Sequence, residues 1–195
     1  MKKILPLALL LLMAGLDACN RTPAPIDPAS PAAAKAQLSV LQDTVEARWT
    51  EMITSDNAKH SATRQVIREL ENQPGSDRSQ LKELLKANNR LKDLRYDQQS
   101  MHESTRIDAY DAAQDSVLRA VYAVAMPEAG QKSELVRNLT EGIQQYDAEV
   151  VAYRLRYDQA AKRFNDYIQI HQPELTQLGG KYTKLKPLPL FTIQQ

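Results

Sequence analysis

Between residues 133 and 171 a large or apolar side chain returns at alternating steps of four and three: Leu139, Ile143, Tyr146, Val150, Tyr153, Tyr157, Ala160, Phe164, Tyr167 and His171. A seam of period 3.5 sustained over more than four heptads is a helix signature, and it favours a slight left-handed supercoil against antiparallel neighbours. Tyrosine suits such a seam, because the ring fills the core while the hydroxyl can reach its edge. Two further stretches lack both proline and glycine. From about Ala33 to Asn72, Leu38, Leu41, Val45, Trp49 and Met52 recur at steps of three and four, and the stripe resumes at Val66 and Leu70. Gln73-Pro74-Gly75-Ser76 breaks this helix, and Ser76 or Asp77 can cap the next. The second stretch runs from about Ser76 to Ala125. Its stripe is clear at Leu81, Leu84, Leu85, Leu91 and Leu94 and again at Ile107, Val117, Leu118, Val121 and Val124. Between these lie Gln98, Gln99, His102 and Thr105, so a kink or break is expected near Gln98 to Ser104. Pro127 and Gly130 end the stretch. Short connections between long helices make antiparallel neighbours. The expectation is therefore an all-α fold, an elongated antiparallel three- to four-helix bundle with coiled-coil-like packing.

The N-terminus carries a different message. Lys2 and Lys3 precede an apolar run from Ile4 to Leu16, the size of a signal-peptide core and short of the roughly 20 residues a membrane span needs. The run ends at Leu16-Asp17-Ala18-Cys19, which resembles a bacterial lipobox, with Asp17 departing from its usual small neutral residue. That resemblance implies a diacylglyceryl group on the Cys19 thiol, cleavage after Ala18 and acylation of the new amine, a durable membrane anchor. An ordinary cleaved signal peptide and an uncleaved single span are the alternatives. Cys19 is the only cysteine, so no intramolecular disulfide staples the fold. Asn20 follows where aspartate would retain an enterobacterial lipoprotein in the inner membrane. The expected location is thus the cell envelope, on the outer membrane facing the periplasm.

The segment divides accordingly: residues 1–18 as signal peptide, 19–34 as lipidated cysteine and Pro/Ala-rich tether, 35–172 as the N-terminally anchored bundle, and 173–195 as an extended tail. In the tether, Pro23, Pro25, Pro28 and Pro31 favour polyproline II. In the tail, Pro173 is expected to stop the third helix and Gly179-Gly180 to permit a left-handed turn. Leu185, Leu188, Leu190, Phe191 and Ile193 are apolar, and Pro187 and Pro189 keep the backbone extended. This tail either folds back along the bundle or stays free for a partner; docking is the expectation.

The strings RYDQAAKRFNDYIQIHQPEL and GGKYTKLKPLPLF in the last helix and tail, with VEARWTEMI in the first helix, resemble the LemA family. Arg156, Tyr157, Asn165, Tyr167, Ile168 and Pro173 match best, joined by Val45, Trp49 and Ile53. The resemblance runs from about Leu38 onward and is absent in the middle. Where the family has a basic pair and an aspartate-leucine-isoleucine-proline-asparagine-leucine segment, this chain has SDNAKHSATRQVIREL. Without that proline the first helix should run straight. The resemblance implies an N-terminally membrane-anchored antiparallel helical bundle of unestablished biochemical activity, here with lipid in place of a spanning helix.

Loss of residues 1–18 lowers Lys+Arg from 25 to 23 and Asp+Glu from 24 to 23, a net charge of zero. No strong field is left to gather nucleic acid. His60, His102 and His171 lie in no tight ligand spacing, so no metal and no cofactor beyond the lipid is expected. No Ser-His-Asp arrangement, phosphate-cradling loop or cysteine nucleophile is discernible, which argues against an enzyme. One constellation stands out. Asp56, Asn57, Lys59 and His60 interrupt the first seam midway, as Gln98 to Thr105 interrupt the second. If the interruptions meet, Asp56, His60 and His102 share a buried polar layer that either fixes register or recognises something. The expected role is a membrane-tethered helical scaffold for envelope proteins. The alternative is a periplasmic small-ligand or metal-sensing protein using that layer.

Overall fold

A computed structural model describes residues 30–126 and 133–191. The signal segment, Cys19 and most of the tether lie outside the described residues. The fold is an all-α antiparallel bundle, with no strand among the described residues. Helix α1 spans Pro31–Glu71, α2 Arg78–Leu94, α3 Ser104–Ala125, α4 Glu134–Ile170 and α5 Gln172–Gln177, with short 3₁₀ turns at Ser100–His102 and Gly180–Lys184. None of these helices is long and apolar enough to cross a membrane.

Helix α1 starts four residues earlier than the expected boundary of the bundle. Ser30 caps it by accepting the Ala33 N–H at 3.2 Å, and Pro31 sits in the first turn, where its missing N–H costs nothing. The helix then runs unbroken for 41 residues, as the missing proline predicted. Gly75, at φ +81°, makes the turn, and Asp77 caps α2 by accepting the Ser79 and Gln80 N–H groups at 3.0 Å each. The expected break in the second stretch is real and spans residues 95–103. Asp97 causes it locally: its carboxylate accepts the Gln99 and Ser100 N–H groups, an alternative partner for backbone that would otherwise continue the helix. Pro173 departs from expectation. The long helix already ends at Ile170, and Pro173 opens the short α5 from its first turn.

Contacts give the topology. Tyr167 Oη donates to the Ala34 carbonyl, Trp49 meets Tyr157, and Lys59 meets Asp147, so α1 and α4 run antiparallel along their whole length. Helices α2 and α3 form a hairpin beside only part of that pair: Asn88 and Tyr110 both reach His60, and Asp111 reaches Arg154. Four helices therefore surround one half of the bundle. The other half contains only the start of α1 and the end of α4, with α5 and the tail folded onto them.

The core follows the seams. Leu38, Val45, Met52 and Val66 on α1 are buried at seven-residue multiples, and on α4 every member of the expected seam is buried or half-buried. Tyr157 is 0% exposed. At the junction of the halves five rings pack edge to face: Trp49 on Tyr157 at 5.4 Å and on Tyr96 at 6.3 Å, with Tyr96–Tyr110, Tyr96–Phe191 and Tyr157–Phe191 all at 5.7 Å. Such edge contacts suit the ring quadrupole.

The tail docks, as expected. Asn165 donates through Nδ2 to the Leu188 carbonyl at 2.8 Å and accepts the Leu188 N–H on Oδ1 at 2.7 Å. Asp158 Oδ1 accepts the Phe191 N–H at 2.8 Å.

Candidate functional site: a buried polar layer

The interruption in the α1 stripe does not leave the core. Counting sevens from Leu38 through Val45 and Met52 reaches Lys59, then Val66, and all five are buried. Lys59 is thus a core station occupied by a cation, 1% exposed. Its ammonium donates to Gln114 Oε1 and to Asp147 Oδ1, the latter at 3.0 Å. The stem fills the seam while the head finds partners near the rim.

One turn earlier, Asp56 collects donors from α3 and from the break after α2. Tyr110 Oη donates to its carboxylate at 2.7–2.8 Å, Gln114 Nε2 at 3.0 Å and Arg95 Nη1 at 3.1 Å. Burial alone would raise its pKa. The hydrogen bonds and positive charge gathered round it, from His60, Tyr110 and Gln114, overcome that and hold the carboxyl well below the usual carboxylate range. The Tyr110 phenol moves oppositely: burial and the neighbouring Asp56 charge push it far up, so it stays a donor. Because Tyr110 gives its proton to Asp56, its oxygen is left to accept, and His60 Nε2–H supplies the bond at 2.9 Å. His60 is 2% exposed, and Asn88 Nδ2 donates to its backbone carbonyl at 3.2 Å. Beside this group Arg154 grips Asp111 with two bonds of 2.7 and 2.8 Å and donates to Tyr96 Oη at 3.1 Å.

Asp56 and His60 therefore meet as expected, but His102 is a correction. It lies on the 3₁₀ turn at the helix break with its side chain 64% exposed, and its Nδ1 faces the Gln99 carbonyl. The stretch from Gln98 to Thr105, expected to supply the facing polar layer, instead closes around Asp97, while the break turns Tyr96 and Met101 inward and contributes only Arg95 to the layer. The true partners are Asn88 on α2, Arg95 at the start of the break, and Tyr110 and Gln114 on α3. A signal for them existed. Tyr110, Gln114, Val117 and Val121 step by four, three and four, so Tyr110 and Gln114 hold core stations just as Lys59 does. His171 is also elsewhere, stacked at 4.3 Å on Tyr167 near Glu174.

The layer surrounds a cavity of about 30 Å³, touched by Asp56, Lys59, Tyr96, Gln114 and Arg154. That is room for about one or two waters, an order of magnitude below an organic ligand's pocket. Most of its donors and acceptors are spent on each other, with the buried Arg154 Nε left over among the described residues. No three His, Cys, Asp or Glu side chains among the described residues converge so as to hold a metal ion. What this arrangement does best is position helices: one carboxylate of α1 is bonded from α3 and from Arg95 just past the end of α2, so a register slip would strand a charge. The chain matches no family model, no curated protein and no solved structure.

Proposed function

We propose that this chain is a cell-envelope lipoprotein, similar to the LemA family, held to a membrane through a lipid on Cys19 and acting there as a non-catalytic helical interaction module. The observation that carries this reading is the apolar run ending in Leu16-Asp17-Ala18-Cys19, the only cysteine, followed within a dozen residues by the capped start of α1. Eleven residues would span roughly 35 Å in a polyproline II conformation, enough to clear the headgroups while keeping the bundle at the membrane. The bundle supports the second half of the reading. It presents long helical flanks, and on α4 Val151, 75% exposed, and Leu155, 52% exposed, stand one turn apart facing outward. The expected envelope partners would meet such flanks.

Expressed in a bacterium, the parent chain is expected to sediment with membranes and to incorporate labelled palmitate. Cys19→Ala is expected to lose the label and to move into the soluble periplasmic fraction. A Cys19→Ala protein that remains with the membranes would sink the lipid tether.

A further inference from the structure

The tail does more than fill space. Its polar contacts are made by backbone, and they are read by two α4 side chains two turns apart. Asn165 binds both backbone groups of Leu188, and Asp158 binds the N–H of Phe191. Seven residues of α-helix rise about 10 Å. Three residues of polyproline II rise about 9 Å. Leu185 has φ −63° and ψ 135°, in the polyproline region, and Pro187 and Pro189 hold φ in the same range. Asn165 and Asp158 thus form a ruler matched to one turn of a polyproline segment lying antiparallel to α4. At the end of the ruler is an anchor pocket. Tyr96 and Tyr157 receive the Phe191 ring at 5.7 Å each, and the Arg154 guanidinium lies 5.1 Å above it.

Two features set this apart from ordinary core packing. Among the described residues the segment underfills its seat: Leu188 and Phe191 are only half-buried, and open grooves of about 290 and 930 Å³ flank Leu188. The smaller groove is lined by Asp43 and Glu46, while the tail brings Lys184 and Lys186. The segment also hangs from Gly179 and Gly180, at φ +68° and +56°, with nothing within 4 Å of where a Cβ would stand. Glycines there give the tail a place to swing.

We infer that this groove along α4 is a recognition site for an extended, basic, proline-containing segment of another protein, anchored by a phenylalanine, and that the chain's own residues 187–191 are its resident competitor. The inference rests on reading the chain as an interaction module. The Cys19→Ala experiment tests only the anchoring part of that reading, so either can fail without the other. The occupant is a foreign segment rather than a second copy for a quantitative reason. A second copy's tail makes the same contacts but lacks the resident tail's effective concentration, on the order of millimolar for a short tether. A foreign segment can win by filling the flanking grooves, which the tail leaves open.

The test uses a fluorescent peptide of residues Lys184–Phe191 and the full chain in detergent. Phe191→Ala withdraws the resident anchor and is expected to bind the peptide at least tenfold tighter than the parent. Adding Asn165→Ala is expected to abolish that gain. A Phe191→Ala chain with intact helical circular dichroism and no gain overturns the proposal, as does a gain that survives Asn165→Ala. Should Phe191→Ala fail to fold, hydrogen exchange on the parent decides. The Leu188 and Phe191 amides are expected to exchange at least a hundredfold faster than those of Ile143 and Ile168. Equal rates would mean that the tail never leaves, and would overturn the proposal. A concentration-dependent dimer of the parent that Phe191→Ala removes would assign the groove to a second copy and would also overturn it.

Discussion

The two halves of the bundle solve burial in opposite ways. Where α1 and α4 are joined by α2 and α3, four helices enclose enough volume to hold Lys59, Asp56, His60, Asn88 and Gln114 inside with partners. Where α1 and α4 are alone, Leu38, Val45, Phe164 and Ile168 face a gap that two helices cannot close. Leu175 of α5 and a non-helical strap, Leu185 to Phe191, cover it in part. The five-ring cluster is the bulkhead between these regimes, with Tyr110 belonging to both: its ring packs on Tyr96 and its hydroxyl bonds Asp56. A crowded interior can carry charge provided every polar group is paired. A thin one must be dry and must borrow apolar cover from wherever the chain supplies it.

The most severe way to break this division is at the bulkhead. Tyr157→Asp places a carboxylate at a fully buried station between Trp49 and Phe191, and is expected to destabilise both halves by more than about 3 kcal/mol. Thermal melting by circular dichroism checks it, and a variant melting like the parent would show that the bulkhead is not where the halves join.

Next in size is the polar half alone. Asp56→Ala leaves Arg95, Tyr110 and Gln114 without their shared acceptor and is expected to cost about 3–5 kcal/mol. The same carboxylate sets a pH dependence. Its folded pKa lies below its unfolded one, so its contribution is complete above about pH 4 and is lost as the pH falls further, toward the folded value. Melts of parent and Asp56→Asn at pH 7 and pH 3 should show the parent losing more stability on acidification. The comparison between chains is needed because the exposed Asp97 and Glu103 are also held low by hydrogen bonds, from Ser100 and Arg106, and both chains retain these. Equal losses would mean that Asp56 is not the charged centre of this half.

The smallest effect sharpens the contrast most. Lys59→Met keeps the length of the side chain at a seam station and removes the buried charge. Asp147, which it leaves behind, is 46% exposed and can turn to water. The variant is expected to lose only about 1–3 kcal/mol, because Asp147 rehydrates and the loss is confined to the buried Gln114 Oε1, which is left without its donor. A large loss would show that Lys59, and not Asp56, holds the register.

Much of the fold was legible without coordinates because it depends on local periodicity. The α4 seam, the unbroken α1, the break in the second stretch and the docked tail each follow from side-chain spacing or from proline and glycine placement. The candidate site was half legible. Asp56 and His60 stand out because they interrupt their own helix. Tyr110 and Gln114 were overlooked because a polar residue in a stripe reads as a gap unless the count of sevens is carried across it. His102 was placed wrongly for a related reason: similar interruptions on two helices suggested that they meet, whereas Asp97 lets the second one close on itself.

The chain's own order of residues was enough to determine which long segments are helical, which face of each is apolar and that neighbours run antiparallel, since these depend on contacts three, four or seven residues apart; it did not place the short helix Gln172–Gln177 in what was expected to be an extended tail. Only the tertiary structure decided which polar groups would share a carboxylate, that α2 and α3 cover one half rather than both, and that Asn165 and Asp158 would measure out the tail. Those choices depend on how far α2 and α3 extend alongside the longer pair, and no local spacing records the distance between residues that meet across a bundle.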